Sequence, residues 1–273
     1  MTWIAHILHR AVGLLLAPFD FMGPLLGLTL LSGLTGVAML WVYGKTTPQS
    51  KIKKAKDSMI AAVYEVRLYL DSPKRVLSAT GRMLAWTTVH LALMLPAFIV
   101  IGPPMGLILL HMDMRYGKAP LPINEQVLVK IKVRNKDDAQ KVLVKTSPKS
   151  PIRVTAPMLF IEREKTLYVR TKIKKPGTHS LNITINGDIT KKRLTATQNP
   201  RKLSISRSSG FSSLWAQTTE PPLKGGGVIE SIRVDHPDNN RTWAGIPVPW
   251  WGYWLLVSFL VAWLLSRRLG VEL

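Results

Sequence analysis

Three long uncharged stretches and one region of strict alternation divide the chain. Leu25–Tyr43 carries no charge and approaches the ~20 residues that a bilayer-spanning helix requires. Met83–Leu110 is a second such run, interrupted by Pro96 and by Gly102-Pro103-Pro104. Each proline removes a backbone donor and crowds the preceding turn, so kinks are expected there. The third run is Val248–Ser266. Trp250, Trp251, Tyr253 and Trp254 form an aromatic belt at its start, and Arg267 and Arg268 close it. The predicted spans are therefore 22–44, 83–111 and 248–266, with 267–273 left as a short tail.

Between the first two spans, residues 45–82 read as a helical hairpin. Ile52, Ala55, Met59, Val63, Val66 and Leu70 recur at steps of 3, 4, 4, 3 and 4, a stripe that asks for a partner helix. Lys51, Lys53, Lys54 and Lys56 crowd its base, and Glu65 and Arg67 keep the other face wet. Asp71-Ser72-Pro73 stops this helix and starts the next, with Ser72 as N-cap and Pro73 at the first helical position. Val76, Leu77, Thr80 and Met83 can then run back along the first arm and straight into the second span.

Residues 1–20 place Trp3, Ile4, Ile7, Leu8, Ala11, Leu14 and Leu15 on one helical face, with His6, His9, Arg10 and Gly13 opposite. The pattern predicts an amphipathic helix lying in the headgroup region and broken at Pro18. A cleaved signal peptide is the competing reading. Against it stand the late Arg10, the short apolar run Ala11–Ala17 and the lack of a clear small-x-small site before Asp20.

Over 122–245 the period changes to two. Val127, Val129, Ile131 and Val133 alternate with Leu128, Lys130, Lys132 and Arg134, as in a half-buried strand. Similar strands are expected at Lys141–Lys145, Ile152–Thr155, Leu159–Glu162, Thr166–Ile173, Ser180–Ile185, Ile189–Thr195, Lys202–Ser206 and Val228–Val234. Asn186-Gly187 signals a hairpin turn. Ser208–Gly227, polar and glycine-rich, reads as a mobile loop. Short strands without helical patterning predict an Ig-like β-sandwich. The fold class expected is thus an α-helical membrane protein, with three transmembrane helices and a cytoplasmic helical hairpin. An all-β Ig-like domain is inserted between spans two and three.

Composition adjusts this picture in two ways. The formal net charge of +21 and pI near 10.4 would suggest nucleic acid for a soluble chain. In a membrane protein, lysine and arginine also set topology and meet anionic lipid, and the basic strands lack the interleaved aromatics of a nucleic-acid platform; no DNA partner is expected. Without cysteine, the chain has no disulfide, thiol nucleophile or thiolate metal site.

Candidate chemistry is sparse. Thr29, Ser32 and Thr35 make one mildly polar stripe on the first span, which in lipid prefers another helix or a wet cavity. Thr87, Thr88 and His90 occupy the cytoplasmic half of the second, and an ionisable intramembrane residue is a functional candidate. Together these six residues are a candidate groove. The plainer reading is helix packing, with the hydroxyls bonded to their own backbones. His6 with His9, and His111 with Asp113, each fall short of three metal ligands. Ser50 and Lys53 match SxxK in a lysine-rich stretch where chance matches are expected. Gly225-Gly226-Gly227 lacks the lysine and hydroxyl pair of a phosphate loop. No cofactor, metal or enzymatic activity is expected.

The order of parts in the first 120 residues, an outer amphipathic helix, a span, a basic helical hairpin and a second span, resembles the core of the Oxa1/YidC/Alb3 insertase superfamily. The small three-span, EMC3/TMCO1-like members are the most similar in plan. The order of parts carries this resemblance more than sequence motifs do; the stretch LLSGLTGVAMLWVYGKTTPQSKIKKAKDSMIAAVYEVRLYLD more closely resembles bacterial membrane proteins of that plan. It differs in having no arginine within Leu25–Tyr43 and in the β-domain before span three. The resemblance implies an insertase or membrane chaperone, with nascent membrane proteins or the ribosome as partners. The alternative is a non-catalytic envelope protein whose β-sandwich binds a protein partner.

Topology follows from charge. Lys45, Lys51, Lys53, Lys54, Lys56, Lys74, Arg75, Arg82, Arg267 and Arg268 lie near span ends on one side, against Arg10, Arg115, Lys118, Arg233 and Arg241 on the other. The positive-inside rule puts the hairpin and C-terminus in the cytoplasm and the N-terminus and β-domain outside a bacterial inner membrane. Lys51, Lys53, Lys54 and Lys56 then meet anionic headgroups, with ribosomal RNA as the sharper alternative and plain topology signalling as the simpler one.

Overall fold

The computed structural model describes residues 2–146, 150–185, 188–197, 203–245 and 247–272. The chain divides into two compact units, one of residues 1–27 and 107–251, the other of 28–106 and 252–273. Helix α1 (Thr2–Leu15) belongs to the first.

Long apolar helices dominate the second unit. They are α2 (Pro24–Thr46), α4 (Pro73–Met112) and α5 (Trp250–Leu269), with the shorter, lysine-rich α3 (Gln49–Leu68) between the first two. Three of them are long and apolar enough to cross a membrane, which fits a membrane protein. At 1.5 Å per residue, the 40 residues of α4 extend about 60 Å, about twice a hydrocarbon core. One continuous helix therefore covers both the stretch after Asp71 and the second long apolar run. Glu65 of α3 and Arg82 of α4 form an ion pair.

Along α2, small residues allow α5 to approach. A Cβ added at Gly36 would lie 2.4 Å from the Ser258 carbonyl oxygen, and one at Gly33 would lie 3.9 Å from Val261. Close backbone approach over small residues is how helices associate in lipid. The contacts progress from Thr29–Tyr253 through Gly36–Ser258 to Gly44–Val271, so α5 runs parallel to α2.

In the other unit, α1 leads into a one-turn helix at Ala17–Phe21. The end of α4 passes through a π-helical turn, Asp113–Gly117, into nine strands among the described residues. These are β1 (Gln126–Val133), β2 (Val142–Lys145), β3 (Ile152–Val154), β4 (Leu159–Ile161), β5 (Thr166–Ile173), β6 (Gly177–Ile185), β7 (Asp188–Ala196), β8 (Ser206–Ser208) and β9 (Ile229–Val234). One sheet has the order β3-β5-β1-β9-β8, with β4 also on β5; the other is β2-β6-β7. Every pairing is antiparallel. Alternation decides the register. Val127, Val129, Ile131 and Val133 are all buried, and Val129 faces Val169 on β5 while Ile131 faces Ile232 on β9. Their side chains share one core with Leu181, Ile183 and Leu194 of the smaller sheet.

Two expectations are corrected. The strand read at Lys202–Ser206 is displaced to Ser206–Ser208. Leu203 and Ile205 instead pack with Met114, burial that mimics the alternation of a strand; Lys202 lies outside the described residues. Ser208–Gly227 is not a loose loop either. It contains β8's end, a 3-10 helix at Gly210–Trp215, and buried Ser213, Ala216, Thr218, Glu220 and Leu223. The turn residues Asn186 and Gly187 also lie outside the described residues, between the paired Ile185 and Asp188.

Candidate functional site

The six groove residues divide by helix. On α2, Thr29 Oγ1 hydrogen-bonds the Tyr253 hydroxyl at 2.8 Å, and Trp254 Nε1 donates to Thr35 Oγ1 at 2.9 Å. Ser32 donates to the Leu28 carbonyl and Thr35 to that of Ser32. The polar stripe thus faces α5, and its ends meet the aromatic residues that begin that helix. On α4, Thr87 and Thr88 donate to the carbonyls of Met83 and Leu84, one turn back. His90 is half-buried and its Nδ1 has no hydrogen-bond partner among the described residues. The structure therefore brings Thr29, Ser32 and Thr35 to α5 and leaves Thr87 and Thr88 bonded within α4.

The basic base of α3 is open. Lys51, Lys53 and Lys54 are exposed on the face opposite buried Ile52 and Ala55. Lys56 is half-buried and pairs with Glu272 at 3.6 Å, and Gln49 Oε1 accepts the Glu272 backbone N–H at 2.9 Å. Further along, the expected stripe splits. Of its members Ile52 and Ala55 are buried, Met59 and Val66 half-buried, and Val63 and Leu70 exposed; beside them Ile60, Tyr64 and Leu68, and Leu77 on α4, are exposed as well.

In the β-containing unit, sequence reasoning missed a buried polar network. Lys192 is fully buried on β7. Its Nζ donates to the Ser204 carbonyl and hydroxyl, each at 2.8 Å, and to Glu220 Oε2 at 2.6 Å. Ser204 donates to the same carboxylate oxygen at 2.6 Å, and Glu220 Oε1 accepts the Arg193 backbone N–H at 2.8 Å. Arg207 Nη1 donates to the Lys191 carbonyl at 2.7 Å, and Leu121 N–H to that of Thr195 at 3.0 Å. Two side chains and one amide thereby cover the outer edge of β7 at Lys191, Arg193 and Thr195, a common protection of edge strands. Burial pushes the Lys192 ammonium down to about 8 against the pull of Glu220. Glu220 sits below the usual carboxylate range; burial opposes that, and Lys192, Ser204 and the Arg193 amide outweigh it. All three ammonium protons are committed, so Lys192 is not a base for the adjacent Ser204. The network is a lock. Its sequence signal was only a lysine at an inward position of an alternating strand.

A second cluster docks α1. His9 Nε2 lies 2.9 Å from the Ser213 carbonyl, so it carries the proton; Nδ1 then accepts from His111 Nε2 at 2.9 Å. Burial lowers the His9 pKa, the Ser213 carbonyl opposing and His6 adding to the shift. Arg115 binds Asp20 at 3.0 Å in a nearly buried ion pair and reaches the His111 carbonyl at 3.2 Å. Ala5 and His9 therefore face inward, while Trp3, Ile7, Leu8, Leu14 and Leu15 face outward. Asp113 is held by Gln217 at 2.7 Å and Trp250 at 3.1 Å. A Cβ on Gly117 would fall 2.1 Å from that carboxylate and 2.4 Å from the indole nitrogen, so glycine is required there. Among the described residues no three His, Asp or Glu side chains converge as a metal site would need. In comparisons with family models, with characterised proteins and with solved structures, the chain gives no match.

Proposed function

We propose that the protein is a membrane-protein insertase or membrane chaperone of the YidC type, with α3 and the first half of α4 acting as a cytoplasmic hairpin. The observation that carries the reading is the row of exposed apolar side chains at Ile60, Val63, Tyr64, Leu68, Leu70 and Leu77 beyond the exposed lysines at 51, 53 and 54. Apolar surface left open costs about 25 cal/mol per Å² relative to burial, and a client helix or the lipid surface would cover it. Polar groups on α4 at Thr87, Thr88 and His90 lower the cost of bringing a client's polar backbone toward lipid. The α2 stripe contributes the seam with α5, not the groove. The β-domain, read as an Ig-like sandwich, lies outside the inner membrane in the orientation given by the positive-inside rule.

One observation favours the second reading, an anchored envelope protein whose β-domain binds a partner. Thr29 and Thr35 are already engaged by Tyr253 and Trp254, as a packed anchor would require. Photocrosslinkers placed singly at Leu68, Thr88, Thr35 and Ile189 during translation of short membrane proteins separate the two. Nascent-chain crosslinks are expected from Leu68 and Thr88 and not from Thr35. Crosslinks confined to Ile189, to stable envelope proteins, would replace the insertase reading with the binding one.

A further inference from the structure

A cavity of about 390 Å³ opens beside α1, lined by His6, Arg10, Leu14, His111, Arg193 and Thr219 among others. Its volume falls in the usual range for small-ligand sites. Its charge is lopsided. Arg115 is paired with Asp20, and Glu220 with Lys192, so both of those cations and both carboxylates are balanced within the protein. Arg193 is held at Thr219, its Nη2 donating to the carbonyl at 3.0 Å and to the hydroxyl at 3.1 Å. It lies 3.7 Å from Glu220, whose charge Lys192 already answers. Arg10 is exposed and makes no ion pair or hydrogen bond among the described residues. Around the cavity four cations, Arg10, Arg115, Lys192 and Arg193, thus share two carboxylates, Asp20 and Glu220, a positive excess carried by guanidiniums that suits an oxyanion.

We propose that this cavity binds the phosphate of a phospholipid headgroup. The same helix that supplies Arg10 turns Ile7, Leu8, Leu14 and Leu15 outward, and a helix of that kind lies at the depth of the headgroups. Leu14 also belongs to the cavity wall, so a phosphate seated between Arg10 and Arg193 has its acyl chains directed along an apolar face. A free phosphate would satisfy the guanidiniums but leave that face unused. None of the lysines at 51–56 is among the lining residues, and the site does not depend on the insertase reading.

The test uses the full chain in nanodiscs of phosphatidylcholine containing a minor share of phosphatidylglycerol, with a photoactivatable analogue of each lipid in parallel. Adducts are mapped by peptide mass spectrometry. Phosphatidylglycerol adducts are expected on peptides covering residues 6–14 and 193–219. Arg10→Gln should lower them by about tenfold or more, as for loss of one charge-assisted hydrogen bond, and K51Q/K53Q/K54Q/K56Q should leave them unchanged. Arg10 has no protein partner to lose among the described residues, so this variant does not put folding at stake; R193K, which keeps the charge but loses the planar fork, should lower labelling less than Arg10→Gln. Equal labelling of Arg10→Gln and the parent chain would overturn the site. Equal labelling by both lipids, with displacement by millimolar inorganic phosphate, would reassign it to a free oxyanion.

Discussion

Replacing Glu220 by glutamine preserves shape and removes one charge from the Lys192 network. The new side chain can still accept the Arg193 amide, but the Lys192 ammonium then has only Ser204 beside it in a fully buried position. Breaking a buried pair from one side costs about 3–5 kcal/mol. An independent bound comes from deprotonation. If Lys192 sheds its proton instead, taking it at pH 7 from an ammonium whose ordinary pKa is 10.5 costs about 5 kcal/mol. The two figures agree, and the lower one applies if water reaches the ammonium. Hydrogen exchange of the full chain in detergent reads the effect directly. Amides of β7 from 191 to 196 should exchange about 100- to 3,000-fold faster at pH 7, taking about 1.4 kcal/mol per decade. The Lys192→Met/Glu220→Gln double variant should recover most of the loss, because no charge remains to be buried. A Glu220→Gln rate within about threefold of the parent, well below the lower bound from pair breaking, would rule out the lock. So would a double variant no better than the single.

Three further outcomes are expected. His236 donates through Nδ1 to the Val234 carbonyl, which leaves Nε2 buried without a partner among the described residues, and desolvation holds its pKa at about 4. The folded state binds this proton later than the unfolded one, so stability present above pH 6.5 should fall as pH drops from 6.5 toward 4, by up to about 3 kcal/mol; H236F should flatten this window in acid unfolding followed by tryptophan fluorescence. Gly36→Leu should separate α2 from α5, since even a Cβ meets the Ser258 carbonyl at 2.4 Å, and a cysteine pair engineered at Gly33 and Val261 should then lose its disulfide crosslinking. Substituting Lys51, Lys53, Lys54 and Lys56 by glutamine should weaken flotation with anionic liposomes by about 1 kcal/mol per charge near the surface, with Lys56, already paired with Glu272, contributing least.

The pattern of the chain made the helices and most strands legible because each was reported by a local period. Leu25–Tyr43 had to be a long apolar helix, and Val127–Val133 had to alternate. What a period cannot state is the identity of the surface that covers a stripe. Thr29, Ser32 and Thr35 were recognisable as one face, yet Tyr253 and Trp254, over two hundred residues away, read only as an interfacial belt. Their ring polar atoms in fact complete that face. Ser208–Gly227 escaped for a related reason. Most of its buried groups are serine, threonine and glutamate, Glu220 meeting Lys192 in another strand, and composition registers such a segment as solvent-loving. Leu203 and Ile205 failed oppositely, since apolar spacing suits any buried extended chain and does not require a ladder partner.

The orientation of α1 sets how this helix can respond to a bilayer. In many peripheral helices a single apolar face serves both the protein and the lipid, and each association must be broken for the other to form. Here docking uses Ala5, His9 and the Arg115–Asp20 tether, while Trp3, Ile7, Leu8, Leu14 and Leu15 are directed elsewhere. The two associations draw on different atoms, so neither lowers the other's affinity. A helix built this way is already ordered: its conformational entropy is surrendered to the protein, and a contact with lipid would add without subtracting. It would act as a fixed gauge of depth, holding the strands that follow Gly117 at one height, rather than as a latch that opens on arrival at the surface.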